Sequence, residues 1–215
     1  MTDLGTGIFI SFEGIDFSGK SEQCRRLIKR LHEAGYENAE LLREPGGVEI
    51  AEAIRKILLD AQNAGLNERT ELLLYSAARA QITSERILPR LRAGKIIIAD
   101  RYVDSTTAFQ GYGRQIDLEF VHAVNLFATR GVLPQLTFLL DISLAVAEAR
   151  QHQSGIAKDR LESEKHDFHE RVRAAYFTMA QAAPQRFVVL DGMQSPEMLA
   201  EQINATLRQR LGLKV

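Results

Sequence analysis

The sequence predicts an α/β fold in which a doubly wound, five-stranded parallel sheet is the middle of three layers. Three observations lead to this prediction. Short apolar runs alternate along the 215 residues with longer stretches whose apolar residues recur at helical spacing. Lys95–Ala99 and Leu136–Leu140 are apolar almost throughout, as strands covered on both faces must be. A glycine-rich segment, Gly14–Ser21, separates the first apolar run from the first helical stretch.

Five apolar runs are assigned to strands in chain order. They are Ile8–Phe12, Ala39–Leu42, Lys95–Ala99, Leu136–Leu140 and Phe187–Leu190. Strands that are separated by helices pair in parallel through right-handed crossovers, so their carboxyl ends share one edge of the sheet. Such sheets bind ligands at that edge, and the residues that follow each strand are therefore the candidates for a functional site.

The helical patterns lie between and after these strands. They are Lys20–Ala34, Gly47–Leu59, Glu68–Ala93, Leu118–Arg130, Leu144–Gln151, Leu161–Ala182 and Pro196–Leu211. The third should bend or break at Pro89, because proline has no backbone N–H to donate. The polar segment Arg150–Lys165, which contains Gly155, predicts a mobile loop. We expect one domain over residues 1–215.

The bulk composition is that of an ordinary globular protein, with 45% hydrophobic and 26% charged residues. A net charge of -1, with both signs mixed along the chain, argues against a nucleic acid or a membrane surface as partner. The single cysteine, Cys24, excludes an internal disulfide and fits a reducing compartment. No signal peptide or stretch long enough to span a bilayer is evident. We therefore expect a cytoplasmic protein.

The segment after the first strand has the pattern G-x-x-x-x-G-K-S of a phosphate-binding loop. Its glycines allow a close backbone approach, and its N–H groups form an anion nest at a helix N-terminus. The lysine adds positive charge at the β- and γ-phosphates, and the serine hydroxyl is suited to Mg²⁺. The pattern predicts a nucleoside triphosphate site formed by Gly14, Ile15, Asp16, Phe17, Ser18, Gly19, Lys20 and Ser21. By itself it does not choose between a kinase, an ATPase and a GTPase.

Further motifs follow the other predicted strands or lie on one helix face. They are Arg43-Glu44-Pro45-Gly46-Gly47, Tyr75 with Arg79, Asp100-Arg101-Tyr102, Asp104-Ser105-Thr106, Phe109-Gln110-Gly111 and Asp159-Arg160-Leu161-Glu162. In this order the set resembles the thymidylate kinases, from Ile8 to about Asp191. The resemblance implies a P-loop fold of the nucleoside monophosphate kinase type with a short lid at about 150–162. It also implies a homodimer that packs helices near Glu68–Ala93, and transfer of a phosphoryl group from ATP to dTMP with Mg²⁺.

The resemblance further implies an acceptor site for dTMP. In it, Asp16 contacts the 3′-hydroxyl, Tyr75 stacks on thymine, Arg79 contacts a thymine carbonyl and Arg101 holds the acceptor phosphate. A planar guanidinium suits the last two tasks better than an ammonium would, because it donates two parallel hydrogen bonds. Positions around the sugar, phosphate and base complete this expected site: Glu44, Arg55, Ser105, Thr106, Phe109 and Gln110.

Phosphoryl transfer depends on positioning and positive charge more than on a covalent nucleophile. The resemblance implies that Ser21 and Asp100 lie on the metal side, and that Gly192–Ser195 flanks adenine. It gives the catalytic tasks to Lys20, Asp16, Arg101, Arg150 and Arg160, the last two at the ends of the lid that closes over the triphosphate.

Three positions depart from the common family pattern. Phe17 stands where some members have an arginine, so the lid arginines are expected to supply the missing charge. Glu22 replaces a hydroxyl residue, which puts a further acid near the phosphates. Phe109 replaces the tyrosine of many relatives and therefore lacks its hydroxyl.

Simpler roles stay open for several of these residues. Tyr75 follows an apolar run and could be part of the core, and Arg101 could form a structural ion pair with Asp100. Arg160 could cap the next helix or pair with Glu164. Two other functions also stay open: a deoxynucleoside kinase, whose acceptor carries no phosphate, and a GTPase-like switch, although the guanine-binding sequence N-K-x-D is missing.

Overall fold

The structure is a computed structural model that describes residues 5–215, and its five strands form one parallel sheet. The strands are β1 (Ile8–Glu13), β2 (Ala39–Arg43), β3 (Ile96–Asp100), β4 (Leu136–Asp141) and β5 (Phe187–Asp191). Their order across the sheet is β2-β3-β1-β4-β5, and every pair of neighbours is parallel. The predicted α/β class and all five strands are confirmed.

Helices cover both faces of this sheet. They are α1 (Lys20–Glu33), α2 (Glu49–Leu59), α3 (Glu68–Ile82), α4 (Leu88–Arg92), α5 (Val103–Thr106), α6 (Leu118–Thr129), α7 (Leu144–Ser154), α8 (His166–Ala182) and α9 (Pro196–Leu211). Wide π-type turns at Thr83–Ile87 and Thr107–Gly113 continue α3 and α5, and a short 3-10 turn lies at Ala61–Asn63. None of the described helices is long and apolar enough to cross a membrane.

The sheet separates two apolar layers. On one face Phe12 and Phe138, whose ring centroids lie 5.2 Å apart, pack with side chains of α1 and α9. On the other face Phe9 and Tyr102, at 4.8 Å, are buried with side chains of α3 and α4. β1 lies at the centre of the sheet, between β3 and β4. The segment that follows β1 is therefore fixed from both sides.

The predicted helices are confirmed with three differences. The break expected at Pro89 is the wide turn at Thr83–Ile87, which places the proline in the first turn of α4, where no N–H is required. The second helix begins at Glu49 and not at the predicted Gly47, since Gly47 has a φ of 84°. The prediction that a helix starts at Leu161 is wrong, because α8 begins only at His166.

Residues 155–165 connect α7 to α8 and lie within the segment expected to be a loop and lid, whereas residues 150–154, also expected in that segment, belong to α7. Gly155 ends α7 in the left-handed conformation, with a φ of 65°. A reciprocal turn follows, in which Glu162 N–H donates to the Asp159 carboxylate and Asp159 N–H donates to the Glu162 carboxylate. This turn satisfies the local N–H groups outside a helix, which explains why the helical pattern of the sequence is not followed here.

Candidate active site

The phosphate loop joins β1 to α1 and depends on two glycines. Gly14 has a φ of 136°, and a Cβ at this position would lie 2.3 Å from the Leu140 carbonyl oxygen. Gly19, with a φ of 98°, precedes the first turn of α1. These values lie in the region that glycine alone enters at low cost. The loop therefore has the backbone geometry that the sequence motif predicts, with the helix N-terminus at its end.

Lys20 is the first residue of α1 and is buried in the loop. Its Nζ donates to the Ile15 carbonyl at 2.7 Å and to Ser18 Oγ at 3.3 Å. Burial and the nearby Arg101 lower the pKa of Lys20 to about 8, although Asp16 and other carboxylates oppose the shift. The side chain thus stays predominantly cationic at neutral pH and supplies charge inside the loop.

The two residues expected at a metal, Ser21 and Asp100, are brought together by α1 and β3. The Ser21 hydroxyl donates to Asp100 Oδ2. No group of three or more histidine, cysteine or acidic side chains suited to a metal occurs within residues 5–215. A hydroxyl and a single carboxylate are nonetheless hard oxygen donors of the kind that fits Mg²⁺, which takes its other ligands from phosphates and water.

A cavity opens beside the phosphate loop, at the carboxyl ends of β1, β2 and β3. All ten residues that the sequence assigned to the acceptor site line it, namely Asp16, Glu44, Arg55, Tyr75, Arg79, Arg101, Ser105, Thr106, Phe109 and Gln110. The lid contributes Asp159, Leu161 and Glu162 to the same cavity. The structure therefore brings these ten residues together in one cavity, and their roles toward a substrate stay a prediction.

Arg101 connects this cavity to the phosphate loop. Its Nη2 lies 2.5 Å from Asp16 Oδ1, and its Nη1 donates to the Gly14 carbonyl at 3.0 Å. The Phe109 ring covers the guanidinium at 5.1 Å. Burial raises the pKa of Asp16, but Arg101 and Lys20 outweigh it and hold that pKa below its ordinary value. The partner of Arg101 is thus Asp16 and not Asp100, the alternative that the sequence left open.

A buried carboxylate behind Arg101 was missed by the sequence reasoning. Glu13, the last residue of β1, accepts hydrogen bonds from Ser105 Oγ at 2.6 Å, the Tyr176 hydroxyl at 3.0 Å and the Tyr102 N–H at 2.7 Å. Ser105 and Tyr176 also accept from Arg101 Nη1, at 3.0 and 3.3 Å. An acidic residue at the end of a buried strand could have indicated a role for Glu13, but no local pattern indicates its partner on α8, Tyr176. Ser105, expected beside the base, orients Arg101 here.

Arg79 is held in a similar way. Its Nε donates to Glu44 Oε2 at 2.6 Å, and both side chains are almost fully buried. Its Nη1 donates to Thr106 at 2.7 Å and to Asn125 at 3.3 Å, and its Nη2 donates to the Tyr102 carbonyl at 3.1 Å. Glu44 and Thr106 were expected around the substrate. In the structure they line the cavity, but their hydrogen bonds go to Arg79.

Tyr75 and Arg55 complete the cavity walls. Tyr75 is half-buried and lies one turn before Arg79 on α3; it packs against the apolar core and also lines the cavity. Arg55 is half-buried on α2 and donates from Nη1 to the Pro45 carbonyl at 3.0 Å. The other guanidinium donors of Arg55 can therefore serve an anion in the cavity.

The two lid arginines lie in different places. Arg150 donates to the Phe17 carbonyl and to the Gly192 carbonyl, both at 3.0 Å, and so joins the phosphate loop to the loop after β5. The structure does not bring Arg160 to the phosphate loop. Its Nη1 donates to Glu71 at 2.6 Å and its Nε to the Leu58 carbonyl at 2.9 Å. The pairing with Glu164, an alternative that the sequence left open, is not formed either, since a different arginine, Arg114, holds that carboxylate.

Phe17, the unusual residue of the phosphate loop, has a φ of 60°. With Leu144 and Ala147 of α7 it lines a second cleft, under the lid, that Lys158 also borders. The Phe17 side chain thus lines this cleft and adds no positive charge to the phosphate loop.

The phosphate loop carries a lysine and two oxygen donors suited to a metal. The cavity beside it carries three arginines and shares Asp16 with the loop. This combination defines a P-loop nucleotide kinase. The comparisons with known proteins identify the family. The model of the thymidylate kinase family matches residues 12–203, and the chain belongs to that family.

Relatives support this assignment over most of the chain. A thymidylate kinase from Citrifermentans bemidjiense is 43% identical over 210 residues, which cover 95% of this chain and 93% of the relative. One from Caldanaerobacter subterraneus subsp. tengcongensis is 45% identical over 194 residues, 90% of each chain. The crystal structure of the Ehrlichia chaffeensis enzyme superposes with a TM-score of 0.76 at 33% identity, covering 94% of this chain and 98% of that one.

We predict that Glu13→Gln changes how stability depends on pH. Burial and the nearby Asp104 carboxylate raise the pKa of Glu13 from 4.5 to about 7, although Arg101 opposes the shift. A raised carboxyl pKa contributes stability that is fully present below the unfolded value and is lost as pH rises through the folded one. The free energy of unfolding of the wild type should therefore fall between about pH 5 and 7.5 more steeply than that of the variant.

Urea unfolding across this pH range measures the difference. The exposed Glu37→Gln is the matched control and should keep the wild-type slope. Parallel pH profiles for the wild type and Glu13→Gln would contradict the prediction.

Proposed function

We propose that this protein transfers the γ-phosphoryl group of ATP to dTMP, giving dTDP and ADP. The observation that carries the proposal is a cavity lined by all ten expected acceptor residues, which shares Asp16 with the phosphate loop. Membership of the thymidylate kinase family supports it. Two adjoining sites of this kind place a donor phosphate and an acceptor phosphate side by side, and such positioning is the main requirement of phosphoryl transfer.

On the donor side, the phosphate loop binds the triphosphate through its N–H groups and Lys20. Ser21 and Asp100 are the residues that would hold Mg²⁺, which neutralises charge on the β- and γ-phosphates. The Gly192 segment flanks the base of ATP, and Arg150 fixes that segment to the loop through two carbonyl contacts. Lys20 and Arg150 thus supply and place positive charge around the transferred group.

On the acceptor side, the aromatic and cationic side chains that line the cavity bind different parts of dTMP. Arg101 and Arg55 hold the acceptor phosphate, and Asp16 contacts the 3′-hydroxyl. Tyr75 stacks on thymine, a contact of about 1–3 kcal/mol in comparable base-binding sites. Four of the five N–H donors of Arg79 are used by protein acceptors, which leaves one for a thymine carbonyl.

The lid closes this site from the acceptor side. Arg160 is a positioning residue in our proposal, because its buried guanidinium ties the lid to Glu71 of α3 and to the end of α2. Asp159 and Glu162 then face the cavity beside Arg101. We propose a cytoplasmic location, which fits the nucleotide substrates and the reduced, buried Cys24.

The deoxynucleoside kinase alternative is less well supported by the cavity. Its acceptor would present an uncharged 5′-hydroxyl where Arg55 and Arg101 lie. A nucleoside would give these half-buried guanidinium groups no anionic partner, so it should bind more weakly than a nucleoside monophosphate.

Turnover on a panel of acceptors tests the proposed activity. With ATP and Mg²⁺, ADP release should show the highest kcat/KM for dTMP among dTMP, dCMP, AMP, CMP and UMP, and thymidine should be a poor acceptor. Faster turnover of any other monophosphate in the panel, or of thymidine, would overturn the proposal. Replacing ATP by GTP examines the GTPase-like alternative in the same assay.

We predict that Arg101→Ala weakens dTMP binding about ten- to hundredfold, since it removes charged hydrogen bonds to the acceptor phosphate. ATP binding should change much less, because the loop N–H groups and Lys20 remain. Titration calorimetry with each nucleotide separates the two effects, and the exposed Arg69→Ala on α3 is the control. Equal losses for both nucleotides would count against the assigned role.

We also propose that the chain is a homodimer through an apolar patch on α3 and α6. Leu73, Phe120, Leu126 and Phe127 form this patch, and their exposures reach 85% at Phe127. Apolar side chains grouped in this way favour an interface. The patch includes part of Glu68–Ala93, the region at which the sequence resemblance places the dimer contact.

A charged substitution at Phe127 tests the dimer. Light scattering should give the wild type about twice the 24.1 kDa of one chain, and Phe127→Asp should shift it toward the monomer. The control Met198→Asp alters another exposed apolar residue, on α9, and should keep the dimer. A monomeric wild type, or an unchanged mass for Phe127→Asp, would show that the patch is not the interface.

A further inference from the structure

Glu71 on α3 is a buried carboxylate that does not line the acceptor cavity. Its exposure is 0%, and three side chains surround it. Gln110 donates from Nε2 to Oε1 at 2.7 Å, and Arg160 donates from Nη1 to Oε2 at 2.6 Å. Arg114 donates to both oxygens, from Nε at 3.1 Å and from Nη2 at 2.9 Å. Of these partners only Gln110 also faces the cavity.

The charge of Glu71 determines which way the Gln110 amide points. Burial raises the pKa of Glu71, but hydrogen bonds from Arg114 and Gln110, with the charge of Arg160, outweigh it and leave that pKa below its ordinary value. An ionised carboxylate only accepts hydrogen bonds. Gln110 must therefore present its NH₂ group to Glu71, and the opposite orientation of the amide would place two acceptors against each other.

The carbonyl oxygen of Gln110 is then the part of the amide that remains for a ligand. Gln110 is 1% exposed and lines the acceptor cavity. Within residues 5–215, no hydrogen bond reaches its side-chain oxygen, whereas the NH₂ group is engaged by Glu71. The cavity thus offers an acceptor at Gln110 and, from the remaining N–H of Arg79, a donor on another wall.

This donor and acceptor match one class of pyrimidine. Thymine and uracil carry a carbonyl acceptor at C4 and an N–H donor at N3. Cytosine carries an amino donor at C4 and an unprotonated acceptor at N3, which is the reverse pattern. A site that fixes its polar groups rejects the mismatched base strongly, because buried donors and acceptors would be left unpaired.

We propose that Glu71 is a specificity-determining positioning residue, which fixes the Gln110 amide so that the cavity accepts pyrimidine monophosphates with an N3–H and rejects those without one. The inference rests on the proposed function. Glu71 acts through Gln110 without touching the substrate, and Arg114 and Arg160 keep it charged.

The variant Glu71→Gln tests this proposal. A glutamine at position 71 can offer either its oxygen or its NH₂ group, so the Gln110 amide is free to rotate. The ratio of kcat/KM for dTMP to that for dCMP should fall by about tenfold or more, the value of one correctly placed hydrogen bond. The double variant Glu71→Gln with Gln110→Glu returns an acceptor-only group to the cavity wall and should recover much of the ratio.

The control Arg114→Lys disturbs the same cluster, keeps its charge and leaves the Gln110–Glu71 contact in place. It should retain the wild-type ratio. If thermal unfolding shows that Glu71→Gln is poorly folded, Glu71→Asp replaces it in the test. This variant keeps the charge but moves the carboxylate away from Gln110, so the ratio should again fall.

A wild-type ratio in folded Glu71→Gln or Glu71→Asp would overturn the inference, as would an equal fall in Arg114→Lys. These outcomes differ from failure of the proposed function. In that case the wild type itself would show no preference for dTMP over dCMP, whereas failure of the inference leaves that preference intact in the variants.

Discussion

The ion pair between Arg101 and Asp16 is the interaction on which the site depends. It joins the residue after β3 to the phosphate loop after β1, so the acceptor cavity and the donor loop are held in one geometry. Arg101 adopts a φ of 72°, a strained value for a residue with a side chain. Arg101 is paired with Asp16 in front, and Ser105 and Tyr176 connect it to Glu13 behind. At this partly buried position the two opposite charges stabilise each other.

Much of this could be predicted from the sequence, because the relevant signals are local. Strand and helix periods give the order of elements, and the parallel sheet then places every strand end on one edge. Tyr75 and Arg79 are one turn apart, so a helix puts both on the same face. The glycines of the loop predict a backbone conformation that only glycine adopts easily. These signals placed the strand ends that surround the cavity, whereas positions such as Arg55 were assigned to it through the resemblance to the thymidylate kinases.

The partners of the charged residues could not be predicted, because they are chosen across long distances in the chain. Arg160 and Glu71 are 89 residues apart, and Glu13 and Tyr176 are 163 apart. An arginine in a lid has the same local sequence whether it points toward a phosphate or toward a buried acid. Desolvation decides between the two, and it depends on how α2, α3 and the lid pack. The expectation that both lid arginines serve the triphosphate fails for this reason.

Three buried glutamates share one arrangement behind the cavity. Glu13 orients Arg101, Glu44 holds Arg79, and Glu71 holds Gln110. Each lies in a different part of the chain, and each binds on the protein side so that the functional group in front keeps a defined donor or acceptor for the ligand. Burying an ionised carboxylate is costly, and the cost is offset only where every partner is in place. The same network that makes the site selective therefore makes it rigid. A side chain that is bound to one of these glutamates cannot rotate to suit another substrate without losing its hydrogen bond. The donors and acceptors of the cavity are thus fixed before a ligand binds, and they favour the ligand that matches them.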